Sequence, residues 1–250
     1  MGGKPPLPNV FGVGVKLEVM GKVDEFLSGV KVIEEIDSPI NGNIRVVKSV
    51  GFGTYIQVEG LTQSGGVMYG VWRKVLKKLS HQSLRASGHG LEALTINHCL
   101  ILGLGGGDTA RLIKKYWSEA KITGVEIDPI MVDLGKKYLK LDETGVDIHI
   151  EDAEKFLLTT SHKSSIIKYD LILVDLYVGY DVPDKFTKEN FFKLILKLLS
   201  PNGVAIFNRL YYADKKKEAE KLGEKLEKIF SKITRVYPKV NVMFVCRQNF

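Results

Sequence analysis

The chain has 250 residues, 44% hydrophobic and 26% charged, enough apolar material for one large domain or a standard domain with a small companion. No apolar run approaches the roughly 20 residues of a membrane span, and the opening MGGKPPLPNVFGVGVKLEVMG shows neither a secretory h-region with a cleavage site nor a myristoylation signal. The formal net charge of +7 raises nucleic acid as a partner, but lysines alternate with glutamates in KKKEAEKLGEKLEKI, which is the pattern of a solvated helix face, so no nucleic-acid or membrane partner is expected.

Residues 1 to about 30 are broken by Gly and Pro and predict no element. Short alternating runs follow, KVIEEID, NIRVVKSV and TYIQVEG, separated by Ser38–Gly42 and by Gly51-Phe52-Gly53. They predict a small antiparallel meander. GGVMYGVWRKVLKKLS carries Val67, Val71, Val75 and Leu79 at helical spacing, with Met68 and Leu76 beside them, and predicts an amphipathic helix. The polar stretch 81–97 reads as a connector.

From residue 98 strand-like runs alternate with helical segments: HCLILGL, TARLIKKYW, KITGVEID, PIMVDLGKKYL, VDIHIED, AEKFLLTT, YDLILVDL, ENFFKLILKLLS and GVAIFN. This repeated β-α-β order predicts a parallel sheet covered on both faces. After the charged helix come ITRVYP and VNVMFVC, too close together for a crossover, hence an antiparallel hairpin. The expected fold is α/β: a doubly wound, mostly parallel sheet ending in an antiparallel hairpin. That order fits the S-adenosylmethionine-dependent, class I methyltransferase-like version of the Rossmann fold better than a plain dinucleotide fold, here with a small N-terminal β-hairpin domain. The expected boundaries are 1–80 for the N-terminal domain, 81–97 for the connector and 98–250 for the nucleoside-binding domain. Cys99 and Cys246 sit in apolar runs and read as buried free thiols of a reducing cytoplasm, too few for a metal framework; no metal is expected.

In an open α/β sheet, ligands bind beyond the carboxyl ends of the strands. Here those ends carry Gly103, Gly105, Gly106, Gly107 and Asp108; then Glu126 and Asp128; Asp152 and Ala153; Asp175, Tyr177, Tyr180 and Asp181; and Asn208-Arg209. Nearly every strand ends in an acid, which suits a cationic or hydroxyl-rich ligand. Gly105-x-Gly107-x-x-Ala110 matches a dinucleotide pattern. Asp108, however, puts a negative charge at the helix N-terminus where a pyrophosphate would bind. Glu126 can accept ribose hydroxyls. Asp128, before Pro129, reads equally as a helix cap, and Asp152 as a cap, an adenine partner, or both. Asp175, after an apolar strand, is the catalytic candidate. Tyr177 and Tyr180 either line an amine pocket or pack.

The segments LGGGDTARLIKKY, ITGVEIDPIMVDLGKKYL, IHIEDAEKFL and YDLILVDLYVGYDVP resemble the spermidine/spermine synthases, the polyamine aminopropyltransferases. Upstream, IEEIDSPINGNIRVVKSVGFGTYIQVEGLTQSGGVMYGVW looks like that family's N-terminal β-hairpin domain, so roughly residues 30 to 210 are covered. The resemblance implies an aminopropyl transferase using decarboxylated S-adenosylmethionine and an amine such as putrescine, as a homodimer or homotetramer. By position it implies nucleoside contacts for Gln63, Gly103, Gly105, Gly107, Glu126, Asp152 and Ala153. Asp108 would face the aminopropyl amine, Asp175 would take the proton of the attacking nitrogen, Tyr69 and Tyr177 would meet the amine substrate, and Asp181, at a different spacing, would substitute there for the family's second acid. The family's second acid, three residues after the first, is here Val178. The family's polar YHE-like segment reads Tyr69-Gly70-Val71, and Thr109 follows Asp108 where the family has Gly. These departures place the chain with the divergent, spermidine synthase-like branch. The alternatives are a methyltransferase using S-adenosylmethionine itself, a non-catalytic nucleoside-binding homologue, and a nicotinamide oxidoreductase, the last opposed by Asp108 and the terminal hairpin.

Overall fold

A computed structural model describes residues 29–85, 95–162 and 167–248. The first strands are β1 (Val30–Ser38), β2 (Gly42–Ser49), β3 (Gly53–Val58) and β4 (Leu61–Gly65), an antiparallel sheet in that spatial order. Three were expected; β4 was not. Its sequence, LTQSG, has little β-forming content. It pairs because Glu59 and Gly60, both at positive φ (48° and 82°), form a tight turn that returns the chain along β3.

Alternate residues of β2 and β3, namely Ile44, Val46, Ile56 and Val58, are buried. They pack on Met131, Leu134 and Leu139 of α3 (Pro129–Leu139). Each such side chain contributes roughly 1.5–3 kcal/mol on burial, so the small sheet is fixed on the larger unit.

Helix α1 (Gly66–Arg85) starts directly after β4. It extends past Ser80 into the expected connector, since HQSLR contains no breaker; residues 86–94 of that connector lie outside the described residues, as does the unassigned stretch 1–28. Val71, Trp72, Val75, Leu76 and Leu79 bury the apolar face of α1 against Cys99, Ile101, Leu112 and Ile113.

The second sheet contains β5 (His98–Leu102), β6 (Lys121–Glu126), β7 (Asp147–Ile150), β8 (Tyr169–Val174), β9 (Leu199–Leu210), β10 (Lys232–Val236) and β11 (Asn241–Arg247). Their order is β10-β11-β9-β8-β5-β6-β7. From β9 to β7 all neighbours are parallel, and β11 runs antiparallel to both β9 and β10. This is the expected doubly wound sheet with its terminal hairpin. The crossovers are α2 (Asp108–Tyr116), α3, α4 (Ala153–Ser161), α5 (Glu189–Leu198) and α6 (Lys215–Glu227). One face is filled by Phe191, Phe192, Phe207 and Phe230, with edge-to-face ring pairs between successive members. Cys99 and Cys246 are buried and free, and burial pushes both thiols well above their ordinary range. Among the described residues, no helix is long and apolar enough to cross a membrane.

Candidate functional site

The chain order makes β5 and β8 neighbours, with the crossovers leaving in opposite directions, so a crevice opens beyond their carboxyl ends. Gly103 leaves β5 at φ 87°. Its amide bonds to the Val125 carbonyl at 2.9 Å, and a Cβ there would collide with the Asp175 carbonyl oxygen. Only glycine lets the two strand ends meet this closely. The loop after it is stitched to the small sheet. Gly106 N–H donates to Ser64 Oγ (2.7 Å), and Gly65 N–H donates to Asp108 Oδ2 (2.5 Å). The result is a cavity of about 750 Å³ between the two sheets. The small sheet contributes Gln63, and the large sheet contributes Gly103, Gly105, Asp108, Glu126, Asp152, Ala153, Asp175 and Tyr177.

Glu126 ends β6 with only 9% exposure. Its carboxylate accepts from the amides of Gly105 (2.8 Å), Ile127 (2.9 Å) and Asp128 (3.1 Å). That uses three of a carboxylate's roughly four acceptor positions, so it can take one further hydroxyl rather than a ribose pair. Burial holds its carboxyl above the ordinary range, opposed by those amides.

Asp108 is 5% exposed at the head of α2. One oxygen receives the Gly65 amide and the other is paired with the Arg111 guanidinium. Burial pushes its pKa up; the Arg111 charge and the Gly65 bond pull the other way. The negative charge at this helix start is therefore partly neutralised from behind.

Asp152 caps α4 through Oδ1, accepting from Glu154 N (3.0 Å) and Lys155 N (3.2 Å), while Oδ2 pairs with Lys185 at 2.5 Å. Burial raises its pKa, but Lys185 and the two amides outweigh this and hold it below the ordinary range. Asp128 is the cap of α3, accepting from Ile130 N, and its other oxygen receives Ser38 Oγ and Asn41 Nδ2 of the β1–β2 turn.

Asp175 follows β8, half-buried. Trp72 Nε1 donates to Oδ2 and Asn208 Nδ2 to Oδ1, both at 2.8 Å. Burial raises its pKa. The bonds from Asn208 and Trp72 and the positive Arg209 oppose this, while the Asp108 charge adds to it. Arg209 is itself buried, with Nη1 on the Asn208 carbonyl and, among the described residues, no partner for Nη2. The Tyr177 hydroxyl accepts from Leu210 N at 2.9 Å, and burial keeps the phenol protonated. Gln63 Nε2 donates to the Gly179 carbonyl at 3.2 Å.

Three expected site residues lie off the cavity. Tyr69 is one residue past Met68 and three before Trp72, both of which line it; about 100° of helix rotation per residue turns Tyr69 away, under the Arg111 guanidinium 5.5 Å from its ring. Gly107 (φ 89°) does not touch the cavity. Its missing side chain makes room for Leu141, fully buried in the 3-10 turn Leu141–Thr144. Asp181 points outward, 74% exposed, with its carboxylate on Lys215 at 2.6 Å; it does not replace the acid missing at Val178. Conversely, Trp72 and Asn208, which hold Asp175, were not expected. Asn208 was visible at a strand end, and Trp72 only as another apolar position in a helix.

The spermine/spermidine synthase domain family matches residues 79–246. A probable polyamine aminopropyl transferase of Bifidobacterium longum is 31% identical over 167 residues, covering 64% of this chain and 36% of that protein. A polyamine aminopropyltransferase of Clostridium perfringens is 28% identical over 227 residues, covering 86% of this chain and 71% of that one. The chain thus spans about a third of the length of the first relative and seven-tenths of the second. In fold it is similar to the crystal structure of spermidine synthase from Thermotoga maritima, with a TM-score of 0.69 and 18% identity over 88% of this chain and 73% of that one.

Proposed function

This chain belongs to the spermine/spermidine synthase family, and from that premise we propose that it transfers an aminopropyl group from decarboxylated S-adenosylmethionine to an amine acceptor such as putrescine. The observation that carries the reading is the pair Asp108 and Asp175, two carboxylates on one cavity and within electrostatic reach of each other. The residues fit a nucleoside with a cationic tail. Gly103 and Gly105 offer bare backbone, Glu126 keeps one acceptor position for a ribose hydroxyl, and Asp108 keeps free lone pairs beyond Arg111 and Gly65. Asp152 has both oxygens engaged, so an adenine amino group would share it with Lys185.

When bound, the donor supplies an electrophilic methylene beside its sulfonium. The chain's role is alignment and proton removal. Asp175 accepts the proton of the attacking nitrogen, held in one orientation by Trp72 and Asn208. The buried Arg209 charge favours its ionised form. Alignment in the cavity supplies several kcal/mol of the barrier reduction. Tyr177 bounds the amine end as a neutral phenol.

Methyl transfer from S-adenosylmethionine itself draws on one observation: Arg111 pairs with Asp108 and cancels much of the charge that would repel a methionine carboxylate. Calorimetry with the two donors and with methylthioadenosine, followed by mass spectrometry after putrescine or spermidine is added, separates the readings. Tighter binding of the carboxylated donor, or a methylated product, would overturn aminopropyl transfer. Absence of any product with either donor would favour a non-catalytic homologue. We also read the chain as a cytoplasmic homodimer or homotetramer, built of an N-terminal domain over residues 1–80 and a nucleoside-binding domain over residues 98–250. The outer strand β1, with Ile33 and Ile36 exposed, supports self-association; light scattering on the eluted protein measures it.

A further inference from the structure

We propose that Glu59, at the tip of the β3–β4 hairpin, is the specificity-determining residue that receives the distal ammonium of the acceptor amine. The inference rests on the proposed function. It answers the loss of the family's second acid, which Val178 replaces here.

Each of the cavity's other carboxylates already faces a partner. Asp108 is paired with Arg111, Asp152 with Lys185, and Glu126 with three amides; Asp175 holds Trp72 and Asn208, and Glu151 lies 3.9 Å from His149. Glu59 also lines the cavity, yet among the described residues its carboxylate has no ion-pair or hydrogen-bond partner. Its Oε2 lies 3.6 Å from the point a Cβ on Gly179 would occupy, which places the charge against the turn that carries Val178. That turn closes by paired backbone bonds between Val178 and Asp181, and the Tyr180 hydroxyl donates to the Glu59 carbonyl at 3.3 Å. The hairpin tip thus reaches across to the position where the acid is missing.

Tyr177, Tyr180 and Tyr212 line the same cavity. Tyr177 lies within electrostatic reach of Asp175 and Tyr212, and Tyr180 of Tyr212 and Glu59. Aromatic faces accept alkylammonium groups and methylene chains alike. Glu59 also keeps a left-handed backbone (φ 48°) that Gly or Asn would adopt at less cost.

The test uses the full chain, with Glu59→Gln and Glu59→Gly assayed against a diamine (1,4-diaminobutane) and a monoamine of the same length (butylamine). Both variants should raise KM for the diamine roughly three- to tenfold, leave kcat nearly unchanged, and leave KM for the monoamine unchanged. Glu59→Asp should recover some of the loss. Glu59→Gly relieves the turn, so a KM effect in a variant that melts no lower than wild type is not a folding defect. An unchanged diamine KM, or equal loss for both amines, would overturn the inference while leaving the proposed function standing. A wild type that transfers to neither amine overturns the proposed function instead. Glu59 is then judged by calorimetric binding of the diamine alone, where equal affinity for wild type and Glu59→Gln overturns it.

Discussion

Replacing Asp175 by Asn should abolish turnover while leaving the fold intact, and the hydrogen-bond network says why. The carboxylate accepts from Trp72 and from Asn208; an amide at 175 has one acceptor and one donor group, so one of those contacts becomes donor against donor. The network can absorb this. Asn208 Oδ1 now accepts from Asn241 Nδ2, and the buried Asn241 Oδ1 has no partner among the described residues. Turning over the Asn208 amide presents its oxygen to residue 175, and turning over Asn241 then presents its idle oxygen to Asn208. The mismatch moves down the chain to an atom that is already unsatisfied. What remains is the loss of charge from two hydrogen bonds, about 1–3 kcal/mol in total, offset by release from burying a carboxylate, an effect of similar size. The net change should stay within about 1 kcal/mol, or roughly 2–4 °C in Tm for a chain of this length. The difference should depend on pH. Burial raises the folded-state pKa of Asp175, so above the ordinary value of about 3.9 the folded chain retains a proton that the unfolded chain has released. Wild-type stability therefore falls as pH rises through that window, and the Asn variant, lacking the group, gains relative to it. Aminopropyl transfer should drop by about 10²–10⁴ with nucleoside affinity nearly unchanged. Calorimetric melts at several pH values and product mass spectrometry read both effects. Turnover within tenfold of wild type would refute the proton-acceptor role, and a Tm drop beyond about 8 °C would refute the relay of amide turns.

Trp72→Phe keeps the packing but removes a bond that favours ionised Asp175; the acid limb of kcat/KM should move upward by about half to one pH unit, and an unmoved limb would dismiss the contact. Arg111→Met leaves Asp108 buried without its ion partner and should cost about 2–4 kcal/mol, seen as a clear fall in Tm; a melt unchanged from wild type would mean Asp108 is not dependent on the pair. Gly107→Ala forces a side chain into Leu141 at a left-handed backbone and should destabilise by about 1–3 kcal/mol, with kcat per folded molecule preserved; loss of kcat without loss of stability would return Gly107 to the ligand site. Asp181→Asn breaks only an exposed pair with Lys215, so KM for the amine should stay within about twofold; a larger rise would restore Asp181 to the amine pocket.

The helices and parallel strands were legible because each carries its own periodicity and punctuation. PIMVDLGKKYL is helical over its whole length, started by Asp128 and Pro129. The acids at the strand ends were legible too, since topology alone puts them on one crevice. What could not be seen were partnerships between distant residues. Trp72 meets Asp175 across 103 positions and Ser38 meets Asp128 across 90, and no local pattern signals either. The misplacement of Tyr69 has a different origin: it was assigned by likeness of segment, and the rotation of α1 decides against it. Gly107 was read with its neighbours as ligand-facing, whereas its reason is Leu141, more than thirty residues away.

The stitching between the two sheets also bears on traffic. For the sheets to separate, Ser64 must release Gly106, Gly65 must release Asp108, and Ser38 with Asn41 must release Asp128, all polar contacts sealed largely from water. The turn at 178–181 is tied to the small sheet by two neutral bonds of 3.2 and 3.3 Å. Local opening follows the weaker attachment. Opening is therefore expected at the turn before it is expected between the sheets. A solvent of higher viscosity should then slow turnover through product release, and shortening this turn should alter the rate of exchange more than the chemistry it covers.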